Sequence, residues 1–186
     1  MTRNFLVLKS SPRARGISSL LADALIRGAT EAGAKVDLFS LRELKIQPCD
    51  GCDACHKQPG SGCVIDDDMQ MIYPMLLQAD ALVLASPVYW FTYSAQLKLG
   101  VDRFYVLEGP GGNALKGKQI AVILTYGDSN EKTSGAINAI HSFEDMFSYI
   151  RAPIVEVLHA SASDEGDIEK NPEMMQRAAT LGRKLA

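Results

Sequence analysis

The sequence lacks the hallmarks of several protein classes. Only four of its 186 residues are cysteines, and all lie between Cys49 and Cys63, so they cannot cross-link distant parts of the chain. This excludes a secreted disulfide framework. The net charge of -3 and the absence of a Lys or Arg run argue against a nucleic-acid binder, which must neutralise many phosphates. The longest apolar run, 81–91, is broken by a Ser-Pro pair and is too short to span a membrane. These absences predict a single cytoplasmic domain over residues 1–186.

What the sequence does contain is a regular alternation of apolar runs and helical segments. The runs are short and rich in β-branched residues, as strands are: they cover Phe5 to Leu8, Val36 to Phe39, Ala81 to Ala85, Ile120 to Leu124 and Ile154 to Leu158. Because three of these runs are wholly apolar, helices should cover both faces of a parallel sheet. No dinucleotide-binding glycine fingerprint is present. We therefore predict an α/β fold, a flavodoxin-like three-layer sandwich with a five-stranded parallel sheet in the order 2-1-3-4-5.

One connection in this pattern is too long. The second and third runs begin 45 residues apart, whereas the other intervals are 31 to 39 residues. The excess is the segment 46–64, which has neither a helical nor a strand period and holds every cysteine. It is predicted to be an ordered insertion or a lid rather than a second domain. Asp66, Asp67 and Asp68 follow it as candidates for the N-cap of the next helix.

Ligands of open α/β sheets bind beyond the carboxyl ends of the strands, where the strand order reverses. The loop after the first strand carries Ser11, Arg13, Gly16 and Ser18 and leads into a helix N-terminus. Hydroxyls, a cation and the helix dipole together suit one phosphate. An ordinary capped turn is the alternative, and no Walker loop is present.

Two further loops lie at the same predicted edge. The third strand is followed by Tyr89, Trp90 and Phe91, of which at least one should be free to stack on a flat ligand. A buried aromatic corner or a dimer contact explains them equally well. After the fourth strand, Thr125 and Gly127 allow a close backbone approach to a ligand, or form a simple turn before the next helix.

The cysteines carry the most specific signal. Cys49, Cys52 and Cys55 are spaced three residues apart, and Cys63 follows after seven intervening residues. Thiolates at this spacing in one loop are closer to an iron-sulfur pattern than to the paired units of a zinc site. Zinc, a redox-active dithiol and unligated thiols remain alternatives, with His56 as a possible substitute ligand.

Structural roles are predicted for one further ion pair and for two histidines. Lys98 and Asp102 are an i, i+4 pair, predicted to form a solvated or interfacial ion pair. His141 and His159 have no partner nearby in sequence.

Taken in order, the motifs resemble a known family, the iron-sulfur flavoproteins and the NADPH-dependent FMN reductase-like branch of the flavodoxin superfamily. The resemblance runs from the first strand to the helix after the third strand and continues more weakly beyond it. It is carried by Pro48, Cys49, Gly51, Cys52, Cys55, Gly62, Cys63, Val64, Asp67, Asp68, Met69, Ala79, Asp80, Ser86, Pro87, Val88, Tyr89, Lys98, Asp102 and Arg103. The sequence departs from the family pattern at Ser10, where glycine is usual, and at Ile17, where asparagine is common.

The resemblance implies a set of site residues. The FMN phosphate would be held by Ser11, Arg13, Ile17 and Ser18. The isoalloxazine ring would be lined by Pro87, Val88, Tyr89, Trp90 and Phe91 and approached from its other side by Thr125 and Gly127. The four cysteines would ligate a 4Fe-4S cluster close to the flavin of a neighbouring subunit, in a dimer or tetramer.

These observations predict an FMN-dependent oxidoreductase. Its electrons would come from NAD(P)H or a ferredoxin-type donor and pass through the flavin to a small acceptor such as a quinone. No general acid or base can be named. A non-enzymatic iron-sulfur and flavin electron carrier is the main alternative, and a zinc-stabilised scaffold without flavin is another.

Overall fold

The fold is described from a computed structural model that covers residues 2–57, 62–162, 167–168 and 170–186. Its centre is a sheet of five parallel strands in the order β2-β1-β3-β5-β6. The two-residue β4 pairs antiparallel with the end of β3. The strands are β1 (Asn4–Lys9), β2 (Lys35–Ser40), β3 (Ala81–Tyr89), β4 (Thr92–Tyr93), β5 (Gln119–Tyr126) and β6 (Ile154–Ser161).

Alternate side chains of the central strands fill two separate apolar cores, one on each face of the sheet. In β1, Leu6 and Leu8 enter one core, whereas Phe5 and Val7 enter the other. The period of two in strand side chains causes this division. The centre of β1 is thus buried on both faces, while the edge strand β2 is half-buried or exposed along its length.

Within the described ranges, α-helices and short 3-10 helices pack on these faces. The α-helices are α1 (Ile17–Glu31), α2 (Ala54–Lys57), α3 (Met69–Gln78), α4 (Ala95–Asp102), α5 (Ala136–Ile150) and α6 (Pro172–Leu185). The 3-10 helices are Leu41–Glu43 and Arg103–Leu107. Helices α3, α4 and α5 contribute to the core of Leu6, and α1 and α6 to the core of Phe5. No helix in the described ranges is long and apolar enough to cross a membrane.

The contact between α1 and α6 requires glycine on both helices. A Cβ on Gly28 would lie 1.9 Å from the carbonyl oxygen of Ala179, and one on Gly182 would lie 2.0 Å from that of Leu25. The two backbones therefore approach each other more closely than any larger residue permits. This contact fixes α1, whose first turn borders the cleft described below.

The predicted flavodoxin-like fold and strand order are confirmed. All five predicted strands are present, and the two whose runs contain a charged residue, Asp37 in β2 and Glu156 in β6, lie at the edges. The short β4 was not predicted, because two residues are too few for a periodic signal. The segment 46–64 has no helical period in sequence, yet Ala54–Lys57 forms one helical turn. Residues 58–61 of that segment lie outside the described ranges.

Candidate functional site

A cleft of about 190 Å³ lies at the carboxyl ends of the central strands. Eight of the predicted cofactor residues line it: Ser11, Arg13, Ile17, Pro87, Val88, Tyr89, Thr125 and Gly127. They come from three loops far apart in sequence. The parallel pairing of β1, β3 and β5 brings these loops together, because the strands all end at the same edge of the sheet.

The loop before α1 is tightly folded. Ser11 Oγ accepts a hydrogen bond from the Arg13 N–H at 3.2 Å, and the Gly16 N–H donates to the Arg13 carbonyl at 3.2 Å. A Cβ on Gly16 would lie 2.0 Å from Ser11 Oγ and 2.7 Å from Ser11 Cβ, so only glycine fits here. The first N–H groups of a helix have no acceptor within it, and those of Ile17 and Ser18 begin α1 beside the cleft. The loop therefore combines free backbone donors with the cation of Arg13.

Buried serines support this loop from below. Ser10 Oγ donates to the Ala85 carbonyl at 3.0 Å, and Ser94 Oγ lies 2.8 Å from Ser10 Oγ. The Ser94 N–H donates to Ser86 Oγ at 2.9 Å. This serine network joins the ends of β1 and β3 to the start of α4. It also explains the departure at Ser10, whose side chain is used inside the domain and leaves the cleft clear.

Three predicted residues do not line the cleft. Ser18 is fully buried, and its Oγ has no hydrogen-bond partner in the described part of the chain. Trp90 and Phe91 form the two-residue turn between β3 and β4, with φ angles of 46° and 69°. The Trp90 side chain is 92% exposed, and the Phe91 carbonyl accepts from Asn138 Nδ2 at 3.3 Å.

Three lining residues lie outside the set that was assigned to the cofactor: Gly16, Tyr126 and Ala162. Gly16 and Tyr126 are neighbours of predicted residues. Ala162 follows β6, whose carboxyl end also lies at this edge and could have been considered on that ground. The Tyr126 hydroxyl lies 3.0 Å from His159 Nδ1, so His159 supports a cleft residue.

The four cysteines lie around one cavity of about 360 Å³. All four are free thiols. Burial raises the pKa of Cys55, and the charges of Cys63 and Cys49 raise it further. Cys63 and Cys49 are therefore close enough to Cys55 for their charges to act on it. In the described ranges, however, no group of three or more His, Cys, Asp or Glu side chains converges tightly enough to hold a single metal ion.

Local turns and side-chain contacts shape this cysteine loop. Gly51 and Asp53 adopt left-handed φ angles of 70° and 61°, which turn the chain between Cys49 and Cys55. His56 packs on the Tyr105 ring at 4.3 Å, and its Nε2 lies 3.0 Å from the Tyr105 carbonyl. His56 therefore does not line the cysteine cavity.

Arg103 lies behind this cavity and had no predicted role apart from its place in the family resemblance. Its side chain is 1% exposed and forms a buried ion pair with Asp67, at 2.7 Å from Nη1 to Oδ2. Nη1 also donates to the Gln47 carbonyl at 3.0 Å, and Nη2 donates to Cys63 Sγ at 3.3 Å. Nε donates to the Tyr73 hydroxyl at 3.1 Å. No local signal identifies this pairing, because Asp67 and Arg103 are 36 residues apart in sequence.

Asp67 links the loop to the next helix. Burial alone would raise its pKa, but hydrogen bonds from Arg103, from the Gln47 N–H and from the Met69 N–H outweigh burial and lower it. Asp68 occupies the predicted N-cap position of α3, yet its carboxylate accepts from the Lys45 N–H at 2.7 Å instead of capping the helix. Lys98 and Asp102 form the predicted ion pair on the surface.

The sheet order and the cleft at its reversal point define a flavodoxin-like protein. Residues 3–165 match the family model described as NADPH-dependent FMN reductase. The chain is 35% identical over 178 residues to an iron-sulfur flavoprotein of Methanosarcina thermophila, covering 96% of this chain and 91% of the relative. It is 30% identical over 184 residues to an iron-sulfur flavoprotein of Methanocaldococcus jannaschii, covering 96% and 93%.

Among solved structures, the fold is similar to that of an NAD(P)H:quinone oxidoreductase from Methanothermobacter marburgensis. The TM-score is 0.78 at 20% identity, over 100% of this chain and 96% of the other. The chain belongs to the NADPH-dependent FMN reductase family. It is an FMN-binding, flavin-dependent oxidoreductase.

Proposed function

We propose that this oxidoreductase carries a second redox centre, a 4Fe-4S cluster on Cys49, Cys52, Cys55 and Cys63. The observation that carries the proposal is that all four thiols line one cavity although a one-turn helix and a long segment separate them. A cluster distributes its ligands over several iron atoms, so the thiolates need not converge on one point. Both relatives described above are named iron-sulfur flavoproteins, which supports the same proposal. The free thiols also support a cytoplasmic location, where cysteines stay reduced.

FMN would occupy the cleft at the strand ends. Arg13 and the first N–H groups of α1 would bind its phosphate, because a helix N-terminus favours an anion. Ser11, which lines the same cleft, would bind the phosphate as well. Pro87, Val88 and Tyr89 would line the ring. Bound FMN supplies electron transfer to and from small molecules, while the protein orients it and limits access of solvent.

The proposed acceptor is a small molecule such as a quinone, and the donor is NAD(P)H or a ferredoxin-type protein. In the described ranges no residue lines both the cleft and the cysteine cavity. This separation supports a homo-oligomer, dimer or tetramer, in which the cluster of one subunit lies close to the flavin of another. A groove of about 990 Å³ beside the cysteine loop, with exposed Leu77 and Tyr149, supplies an apolar surface for such a contact.

Anaerobic purification with FMN, iron, sulfide and zinc assays tests the proposal. The wild-type protein should contain FMN, iron and sulfide but no zinc. Cys52→Ser should lose iron and sulfide yet keep FMN, because Cys52 does not line the cleft. Zinc in place of iron, or full iron content in Cys52→Ser, would overturn the cluster. Steady-state oxidation of NAD(P)H with a quinone separates an enzyme from an electron carrier, which would show no turnover with small donors.

A further inference from the structure

Every N–H group of the Arg103 guanidinium donates a hydrogen bond. An arginine has five N–H donors. Here they meet the Tyr73 hydroxyl, the Gln47 carbonyl, both oxygens of Asp67 and the sulfur of Cys63. These acceptors therefore match all five N–H groups of the planar guanidinium. A lysine has three N–H donors on one nitrogen and cannot reproduce this arrangement.

These contacts join both ends of the cysteine loop to one rigid group. Gln47 lies before the first cysteine, and Cys63 and Asp67 lie at the end of the loop. Arg103 itself begins the 3-10 helix Arg103–Leu107, next to the core of the domain. Its side chain is almost completely buried, so a shift of either end of the loop breaks a buried contact: the hydrogen bond to Gln47 at one end, or the ion pair with Asp67 at the other.

The hydrogen bond from Arg103 distinguishes Cys63 from the other three cysteines. Within the described residues, no other cysteine sulfur accepts a side-chain hydrogen bond. An N–H from a cation interacts much more strongly with a thiolate, the form that binds metal, than with a neutral thiol. Hydrogen bonds to ligating sulfurs are also among the factors that set the reduction potential of iron-sulfur centres.

We propose that Arg103 is a positioning residue of the cysteine-loop centre, which holds Cys63 in place for ligation and favours the reduced state of the bound cluster. The inference rests on the proposed function, in which the four cysteines hold that cluster. Reduction adds negative charge to the centre, and both the charge of Arg103 and its N–H to Cys63 stabilise that charge. Neighbours of metal ligands typically change metal affinity 10- to 100-fold when they are replaced.

The test compares the anaerobically purified wild-type protein with Arg103→Lys. The lysine side chain keeps the positive charge but lacks the planar set of five N–H donors. We expect a more negative midpoint potential in a titration followed by electron paramagnetic resonance, and about tenfold faster loss of iron to a chelator. FMN content should stay at the wild-type level. Arg177→Lys is the matched control: its arginine forms an exposed ion pair with Glu156 on another part of the surface, and all readouts should be unchanged.

A second variant is needed because Arg103→Lys also removes hydrogen bonds to the buried carboxylate of Asp67. The double variant Arg103→Gln with Asp67→Asn removes both buried charges together and should shift the potential and the iron release in the same directions. Wild-type values of both quantities in both variants would overturn the inference while leaving the cluster in place. Loss of FMN together with iron in both variants would show a purely structural role and would also overturn it. A wild-type protein that binds FMN but no iron would remove the proposed cluster and this inference together.

Discussion

The cleft and the cysteine cavity are two candidate redox sites built by different means. The cleft is formed mainly by loops at the ends of β1, β3 and β5, and its supporting serines are small and fully buried. The cysteine loop has little regular structure of its own and is held by long side chains, chiefly Arg103 and Asp67. The first site therefore depends on shape and the second on a few particular charges. Substitutions should damage the two sites independently and by different mechanisms.

The largest expected effect is that of Asp67→Asn, which leaves the buried Arg103 without its counter-ion. We expect a loss of about 3 kcal/mol in the free energy of unfolding at neutral pH. The pKa of Asp67 is lowered in the folded protein, so its contribution is complete above the unfolded value of about 4 and declines as the pH falls below it. The difference between wild type and variant should therefore shrink in acid. Urea denaturation at several pH values measures it.

Glu156→Gln is the control for that experiment. It breaks the exposed ion pair with Arg177 and should cost less than about 1 kcal/mol. If Asp67→Asn costs no more than this control, the cysteine loop does not depend on the buried pair.

A smaller effect is expected from Gly16→Ala in the cleft. The added Cβ would clash with Ser11 and displace the loop before α1. We expect the dissociation constant of FMN to rise about tenfold, equivalent to about 1.4 kcal/mol, with no change in iron content. Fluorescence titration of the apoprotein with FMN measures it.

Gly100→Ala is the matched control, because a Cβ there meets only Leu41 Cδ1 at 3.9 Å. Unchanged FMN binding in Gly16→Ala would show that the loop adapts, contrary to a site that depends on shape.

The smallest expected effect is that of Trp90→Ala. Because Trp90 is almost fully exposed and does not line the cleft, FMN affinity should change less than about twofold, and stability by about 0.5 kcal/mol or less. Tyr89→Ala, which removes a lining residue, should weaken binding more in the same titration. A tenfold loss in Trp90→Ala would instead place the indole against the flavin, as the resemblance implies.

The sequence predicted the parts of this molecule that have a local cause. Strands and their burial follow from runs such as Phe5 to Leu8, and the two edge strands are those whose runs contain a charge, Asp37 or Glu156. The cleft loops followed from the strand order alone. The positions of Trp90 and Phe91 could not be predicted, because two bulky residues with positive φ are an unusual hairpin turn. The role of Arg103 could not be predicted either, since its partners become neighbours only through the tertiary fold.

The close contact between Gly28 of α1 and the backbone of α6 has a consequence for biosynthesis. Chains fold from the amino terminus as they are translated. The β1 strand and α1 emerge before α6, so α1 lacks its partner until residues 172–185 have left the ribosome. The helix whose first turn borders the cleft is thus completed only after α6 has been made. Uptake of FMN is therefore expected to follow synthesis of α6.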